Sequence, residues 1–121
     1  MKAKIWLDDL RPPPDETWEW IKTSKQATKE ILCGLYSGMT YREISFDHDL
    51  GGDDDAYKVA AFIESYAHMG YLRRMTWHIH TANPVGRLRI QAAMMSADRF
   101  WDRNEAREYD DPFWFETIGH E

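Results

Sequence analysis

Short apolar runs alternate with amphipathic stretches along most of the chain. Ala3 to Leu7 is apolar and stops abruptly at Asp8-Asp9, the pattern of a buried strand ending in two acids. Arg11-Pro12-Pro13-Pro14 can continue neither a strand nor a helix, so a stiff loop follows. From Thr17 to Lys22 two tryptophans alternate with polar residues, which predicts a half-buried strand with Trp18 and Trp20 on one face. Thr23, with Gln26 three residues on, fits a capping box. It opens a helix to about Gly34 or Ser37, whose apolar stripe is Ala27, Ile31 and Leu35 with Thr28 and Leu32. Glu43 to Asp47 is the next short strand, again ending on an acid. Gly51-Gly52 breaks the chain, and Asp53, Asp54 and Asp55 precede a second helix with the stripe Val59, Phe62, Ile63 and Tyr66, stopping at Gly70. Met75 to Thr81 is β-rich and reads as a further strand. Asn83 as cap and Pro84 at the first helical position open a third helix, with the stripe Val85, Leu88, Ala92 and Met95. After Trp101 the chain turns acidic and irregular, and Phe113 to Thr117 reads as an edge strand or a partner contact.

Strands joined by helices predict a mainly parallel α/β sheet flanked by helices on both faces, three α/β/α layers in one domain. We place that domain at residues 1–101, with a C-terminal extension at 102–121. A chain of 121 residues buries enough surface for one core, and its 43% hydrophobic share is too rich for a disordered chain. The formal net charge of −6 argues against an extended nucleic-acid surface and against attraction to an anionic membrane. No apolar run approaches the roughly 20 residues of a transmembrane helix. The start, Met1 to Lys4, leads into too few apolar residues for a signal peptide, and lone Cys33 excludes internal disulfides. A reducing, cytoplasmic setting is the expectation. The aromatic run Phe113 to Phe115 is the place where contacts between copies of the chain would form.

In parallel α/β sheets ligands bind beyond the carboxyl ends of the strands. Three polar clusters fall there: Asp8-Asp9, Asp47-His48-Asp49, and His78-x-His80-Thr81-x-Asn83. Right-handed crossovers would bring them to one rim. Asp8, Asp9, Asp47 and Asp49 then offer oxygen ligands to a hard divalent cation, Mg²⁺ or Mn²⁺. The plainer alternative is that they cap turns or pair with Arg11. His48 and His80 are the acid/base candidates, with His80 nearer the rim than His78. A zinc site of His48, His78, His80 and an Asp has only H-x-H in its favour. Asn83-Pro84-Val85-Gly86-Arg87 sets free helix amides, a glycine permitting close approach and a guanidinium fork beside the third cluster, which suits phosphate. Tyr57 reaches the rim or packs, and Gly51 to Asp55 lacks the calcium-loop pattern.

Three strings occur together: Leu7-Asp8-Asp9-Leu10-Arg11-Pro12-x-Pro14, Ile44-Ser45-Phe46-Asp47-His48-Asp49-Leu50-Gly51, and Ile79-His80-Thr81-x-Asn83-Pro84-Val85-Gly86-Arg87. Over about residues 3 to 95 the chain resembles the cyclic-phosphate-processing receiver domains, a variant of the response-regulator receiver fold. The resemblance implies a receiver-like, flavodoxin-type sheet. It implies that Asp8 and Asp9 stand where receivers hold a divalent cation, and Asp47 where receivers carry a phospho-accepting aspartate. Thr81-Ala82 is similar to the receiver Thr-Ala. It also implies a cyclic phosphate, on a nucleotide or an RNA end, as ligand. The chain departs from the family pattern in three places. Asp55-Ala56-Tyr57-Lys58 stands for the usual Thr-Gly-Tyr-Asp, no lysine follows a later strand, and the first two strands are too close for a receiver's first helix.

The expected activity is metal-dependent hydrolysis or processing of a cyclic phosphate. His48, His80 and Asp47 are its catalytic candidates, and Asp8, Asp9, Asp47 and Asp49 its metal ligands. Thr81, Asn83, Gly86, Arg87 and Arg11 are the phosphate-binding candidates. The alternative is a non-catalytic receiver-like module that binds a phosphorylated ligand or partner, or is phosphorylated on Asp47.

Overall fold

The computed structural model describes residues 2–110, with side chains through residue 107. The expected strand at Phe113 to Thr117, and any contact made through it, lies outside these residues. Four strands and three helices follow one another: β1 Lys4–Leu7, β2 Trp18–Ile21, α1 Ser24–Ser37, β3 Glu43–Phe46, α2 Tyr57–His68, β4 Thr76–Ile79 and α3 Pro84–Asp110. The sheet is parallel throughout, in the order β2-β1-β3-β4. The receiver-like, flavodoxin-type parallel α/β sheet predicted from the sequence is thus present, but among the described residues all three helices join one core on a single face of it, so the expected three-layer arrangement is not formed.

Local chemistry sets the element ends. The Thr23 hydroxyl accepts from the Gln26 amide at 3.1 Å, as the capping pattern predicts. Gly38, with φ +77°, caps the other end of α1 in the left-handed region, where a side chain would be strained. Helix α2 starts without a side-chain cap, and Gly70 follows its end, also at φ +77°.

The strands alternate cleanly. Ile5, Leu7, Ile21, Ile44 and Phe46 point to one face and join one core with buried residues of all three helices. That grouping follows from topology. Both crossovers, β2 to β3 and β3 to β4, step the same way across the sheet, so right-handed connections put α1 and α2 on the same side. The other face carries Lys4, Trp6, Trp18, Trp20, Ser45 and His78 in register. There the proline-rich β1–β2 segment reaches in, its Arg11 carbonyl accepting from Trp6 Nε1 at 2.8 Å.

Helix α3 differs from expectation twice. Its predicted stripe faces outward: Val85, Leu88 and Met95 are exposed, as is Ala92. The docked face is Gly86, Ile90, Ala93, Met94, Ala97 and Trp101. Both series have helical spacing, so periodicity alone does not choose between them. The longer one, ending in a tryptophan whose indole donates to Leu72 O at 2.7 Å, buries more. The helix also continues past Trp101 to Asp110 instead of turning irregular. Its acids are spaced as a helix face: Arg74 meets Asp98, Asp102 and Glu105. Among the described residues no helix is long and apolar enough to cross a membrane.

Candidate functional site

The ladder runs one residue beyond the strands. Asp8 N donates to Ile21 O, Asp47 N to Leu7 O, and His80 N to Phe46 O, at 3.1, 2.8 and 2.8 Å. Those bonds set Asp8, Asp47 and His80 side by side at the carboxyl ends of β1, β3 and β4. The predicted convergence on one rim is real.

Asp8, Asp9 and Asp47 each bring a carboxylate oxygen within 4.8 Å of the others. Their environments differ. Asp8 is fully buried and its oxygens are saturated. Oδ1 accepts from the amides of Leu10 and Arg11 at 2.9 and 2.8 Å, and Oδ2 from Arg11 Nε and His80 Nε2 at 3.1 and 3.0 Å. Asp47 accepts its neighbour's amide, from His48 N at 2.9 Å, and lies 3.5 Å from Arg11 Nη2. Asp9 is half-buried and has no hydrogen bond or ion pair among the described residues. Arg11 therefore sits as an internal cation between Asp8 and Asp47, its Nη2 also donating to His80 O at 3.0 Å. The pairing with Arg11 holds for two acids and leaves the third free. Asp49 is outside this trio: it is exposed and turned to His48 Nδ1 at 3.1 Å.

The histidines separate. His80 lies flat on Trp6, with ring centroids 3.9 Å apart and planes 6° apart. Its Nδ1 meets Ser45 Oγ at 2.7 Å and its Nε2 meets Asp8, so both ring nitrogens are taken. His48 is different. Its Nδ1 faces Asp49, with Asn83 Nδ2 at 3.4 Å, while its buried Nε2 has no partner. His78 pairs with Glu43 at 2.6 Å, below the rim. No histidine joins the three acids as a metal-binding group, so the zinc alternative is not formed among the described residues.

Third-cluster residues mostly build the turn into α3. Thr81 is buried and its Oγ1 accepts from Asn83 N, at 3.2 Å. Asn83 Oδ1 accepts from Gly86 N at 3.0 Å, the cap the sequence predicts. Gly86 is explained by packing: a Cβ there would lie 2.2 Å from His48 Cγ. Gly86→Ala is therefore expected to destabilise by about 1–3 kcal/mol despite alanine's better helix propensity. Urea unfolding checks this, and a variant as stable as the parent would contradict the close contact. Arg87 is exposed at the rim and donates to Ile79 O at 2.9 Å. Arg89 instead lies over Tyr57, 4.2 Å from its ring centre.

Sequence reasoning missed three supports: Trp6 under His80, Ser45 behind it, and Trp20, whose indole donates to Asp8 O at 2.6 Å. Ser45 did carry a signal, as the one polar residue between Ile44 and Phe46 in a buried strand.

Two titrations follow. Burial opposes ionisation of Asp8, but the Arg11 and Leu10 amides, His80 and the Arg11 charge together hold its carboxyl below the usual 3.8. Burial likewise disfavours the charged form of His80 and, against the pull of Asp8, keeps its pKa below 6.5. Both depressed values make the unfolded state bind protons first as pH falls. The His80 contribution is complete above pH 6.5 and shrinks below it. The Asp8 contribution is complete above about pH 4 and is lost below that. Urea midpoints are expected to fall from pH 7.5 to 5.5 and again to 3.5. A flat profile down to 5.5 would count against a neutral His80.

Compared with known families, residues 3–96 match the family model of the cyclic-phosphate processing receiver domain. The match covers most of the chain, which belongs to that family. No curated protein and no solved structure matches.

Proposed function

We propose that this family member takes a cyclic phosphate ester, on a nucleotide or an RNA end, into the acidic pocket and hydrolyses it with the help of a divalent cation, Mg²⁺ or Mn²⁺. The supporting observation is the meeting of Asp8, Asp9 and Asp47 from two strand ends within 4.8 Å. Carboxylates packed this closely need positive charge, and Arg11 supplies only part of it. The donor set is oxygen alone, as hard cations prefer, and Asp9 keeps its oxygens uncommitted. The residues present therefore fit the cation, with Asp9 and Asp47 as its main holders and Asp8 fixed behind them. When bound, such an ion would polarise a phosphoryl oxygen of the ester.

The chain's own groups do the rest. Arg11, more than half exposed, has its Nε and Nη2 on Asp8, Asp47 and His80 O and leaves Nη1 for a phosphate oxygen, and Arg87 stands at the end of β4 for the outer ones. His48 keeps its Nε2 buried and its ring packed beside Gly86, so it forms part of the pocket wall and moves no proton to the ester. His80 orients Asp8 and moves no proton to the ester.

Asp47→Asn is expected to lower hydrolysis of a 2′,3′-cyclic nucleotide in Mg²⁺ on the order of 100-fold. Unchanged turnover in an active preparation would rule out the role given to Asp47. Acetyl phosphate with Mg²⁺, followed by intact mass, separates the alternative. A stable adduct on Asp47 without turnover of the cyclic ester marks a receiver-like module instead.

A further inference from the structure

Trp6, Trp18 and Trp20 share the sheet face that carries no helix, and the sheet uses only the first two as cover. Trp18 is 8% exposed and meets Trp6 edge-on, with ring centroids 5.7 Å apart. Trp6 in turn stacks on His80. Trp20 is left open. It stands on β2, an edge of the sheet, is 36% exposed, and stacks with no other ring among the described residues. Only the Lys22 ammonium lies over it, 4.3 Å from the ring centre. Yet the ring is held firmly, because Nε1 donates to Asp8 O at 2.6 Å. That bond fixes the indole beside the Asp8-Asp9 corner of the acidic pocket. The plainer reading is a clip between β2 and the β1–β2 loop, with a lysine stem lying over it. A clip uses only the N–H edge and leaves the open ring face unexplained.

We propose that Trp20 is the floor of a nucleobase subsite: the base of a nucleoside cyclic phosphate stacks on its indole while the phosphate enters the acidic pocket. This deepens the cyclic-ester reading of that pocket and rests on it for the phosphate. An indole face accepts any base, so the subsite selects for the presence of a base and not for its identity. A base-free cyclic ester gains nothing there. The ring is already clamped, so a base stacks on it without the cost of ordering it. Lys22 makes no ion pair among the described residues, so a base displaces it freely and leaves its charge to face the phosphate. Lys2 and Lys4, both against Trp18, add positive charge around this face of a chain whose net charge is −6, which suits an anionic nucleotide.

The test uses the full chain and two esters, adenosine 2′,3′-cyclic phosphate and methyl riboside 2′,3′-cyclic phosphate, which lacks the base. In the parent, kcat/KM is expected to favour the nucleotide about 10–100-fold, the range a stacked base contributes. Trp20→Leu is expected to bring that ratio close to one, and Trp20→Phe, which keeps a ring, to retain most of it. Because both esters are measured on one preparation, a loss of fold or of cation lowers both rates and leaves the ratio alone. A parental ratio near one would overturn the proposal, as would a Trp20→Leu ratio equal to the parent's. If Trp20→Leu does not fold, the parent decides through the ¹H–¹⁵N indole signal of Trp20 in titrations with adenosine, which has no phosphate. A shift of that signal supports the subsite, and an unmoved signal at millimolar adenosine overturns it. A shifted indole in protein that hydrolyses neither ester would sink the esterase reading and leave the base subsite standing.

Discussion

Asparagine at position 9 is expected to weaken Mg²⁺ binding on the order of 100-fold while leaving the ion-free protein as stable as the parent or slightly more so. Asp9 faces two other carboxylates and has no hydrogen bond or ion pair of its own among the described residues. In the ion-free fold its charge is therefore a source of repulsion without a compensating bond. Asparagine keeps the shape, removes the charge, and relieves about 0.5–1 kcal/mol at this partly solvated rim. The same change removes a ligand of the proposed cation. Calorimetry and urea unfolding on one preparation read both effects. A variant that binds Mg²⁺ as the parent does would show that the trio is not the cation site. One that loses stability would show that Asp9 has a structural partner after all.

Asp8→Asn is expected to do the opposite to the fold, lowering stability by about 2–4 kcal/mol, or roughly 1–2 M in urea midpoint. Four donors converge on the two Asp8 oxygens, and the side chain is fully buried. An amide offers one oxygen, so its NH₂ must face Leu10 and Arg11 amides or Arg11 Nε and His80 Nε2. Either way a buried donor loses its acceptor, and Arg11 loses its charged partner. Because the Arg11 guanidinium is more than half exposed, solvent recovers part of that loss, which keeps the figure below that of a fully buried pair. An unchanged midpoint would mean that the bonds to Asp8 add nothing to the fold. Together the two variants divide one acidic trio into a member that holds the structure and a member that waits for a ligand.

That division was not legible from Leu7-Asp8-Asp9 alone. Adjacent aspartates look equivalent in a string of letters. They differ because Asp8 continues the sheet face toward His80 and Arg11, while Asp9 turns to the side of Gly51, whose Cβ would lie 3.2 Å from Asp9 Oδ2. The histidines show the same limit. His80 carries the better rim position by sequence, yet three contacts fix its ring, whereas His48 keeps the orphan nitrogen. The acidic stretch after Trp101 looked irregular because its partner, Arg74, is distant in sequence.

The chain's own pattern determined the strands, the Thr23 and Asn83 caps, the parallel sense of the sheet and the meeting of three polar clusters at one rim. Those follow from local rules: side-chain periods of 2 and 3.6, capping chemistry and the hand of crossovers. Tertiary structure alone decided which face of α3 is buried, that Arg11 bridges Asp8 and Asp47, and that Ser45 and Trp6 fix His80. Each of these depends on groups brought together from separate strands and loops, at distances of a few ångströms that no local pattern encodes. Which hydrogen-bond partner a polar side chain finds is settled only when the sheet has assembled around it.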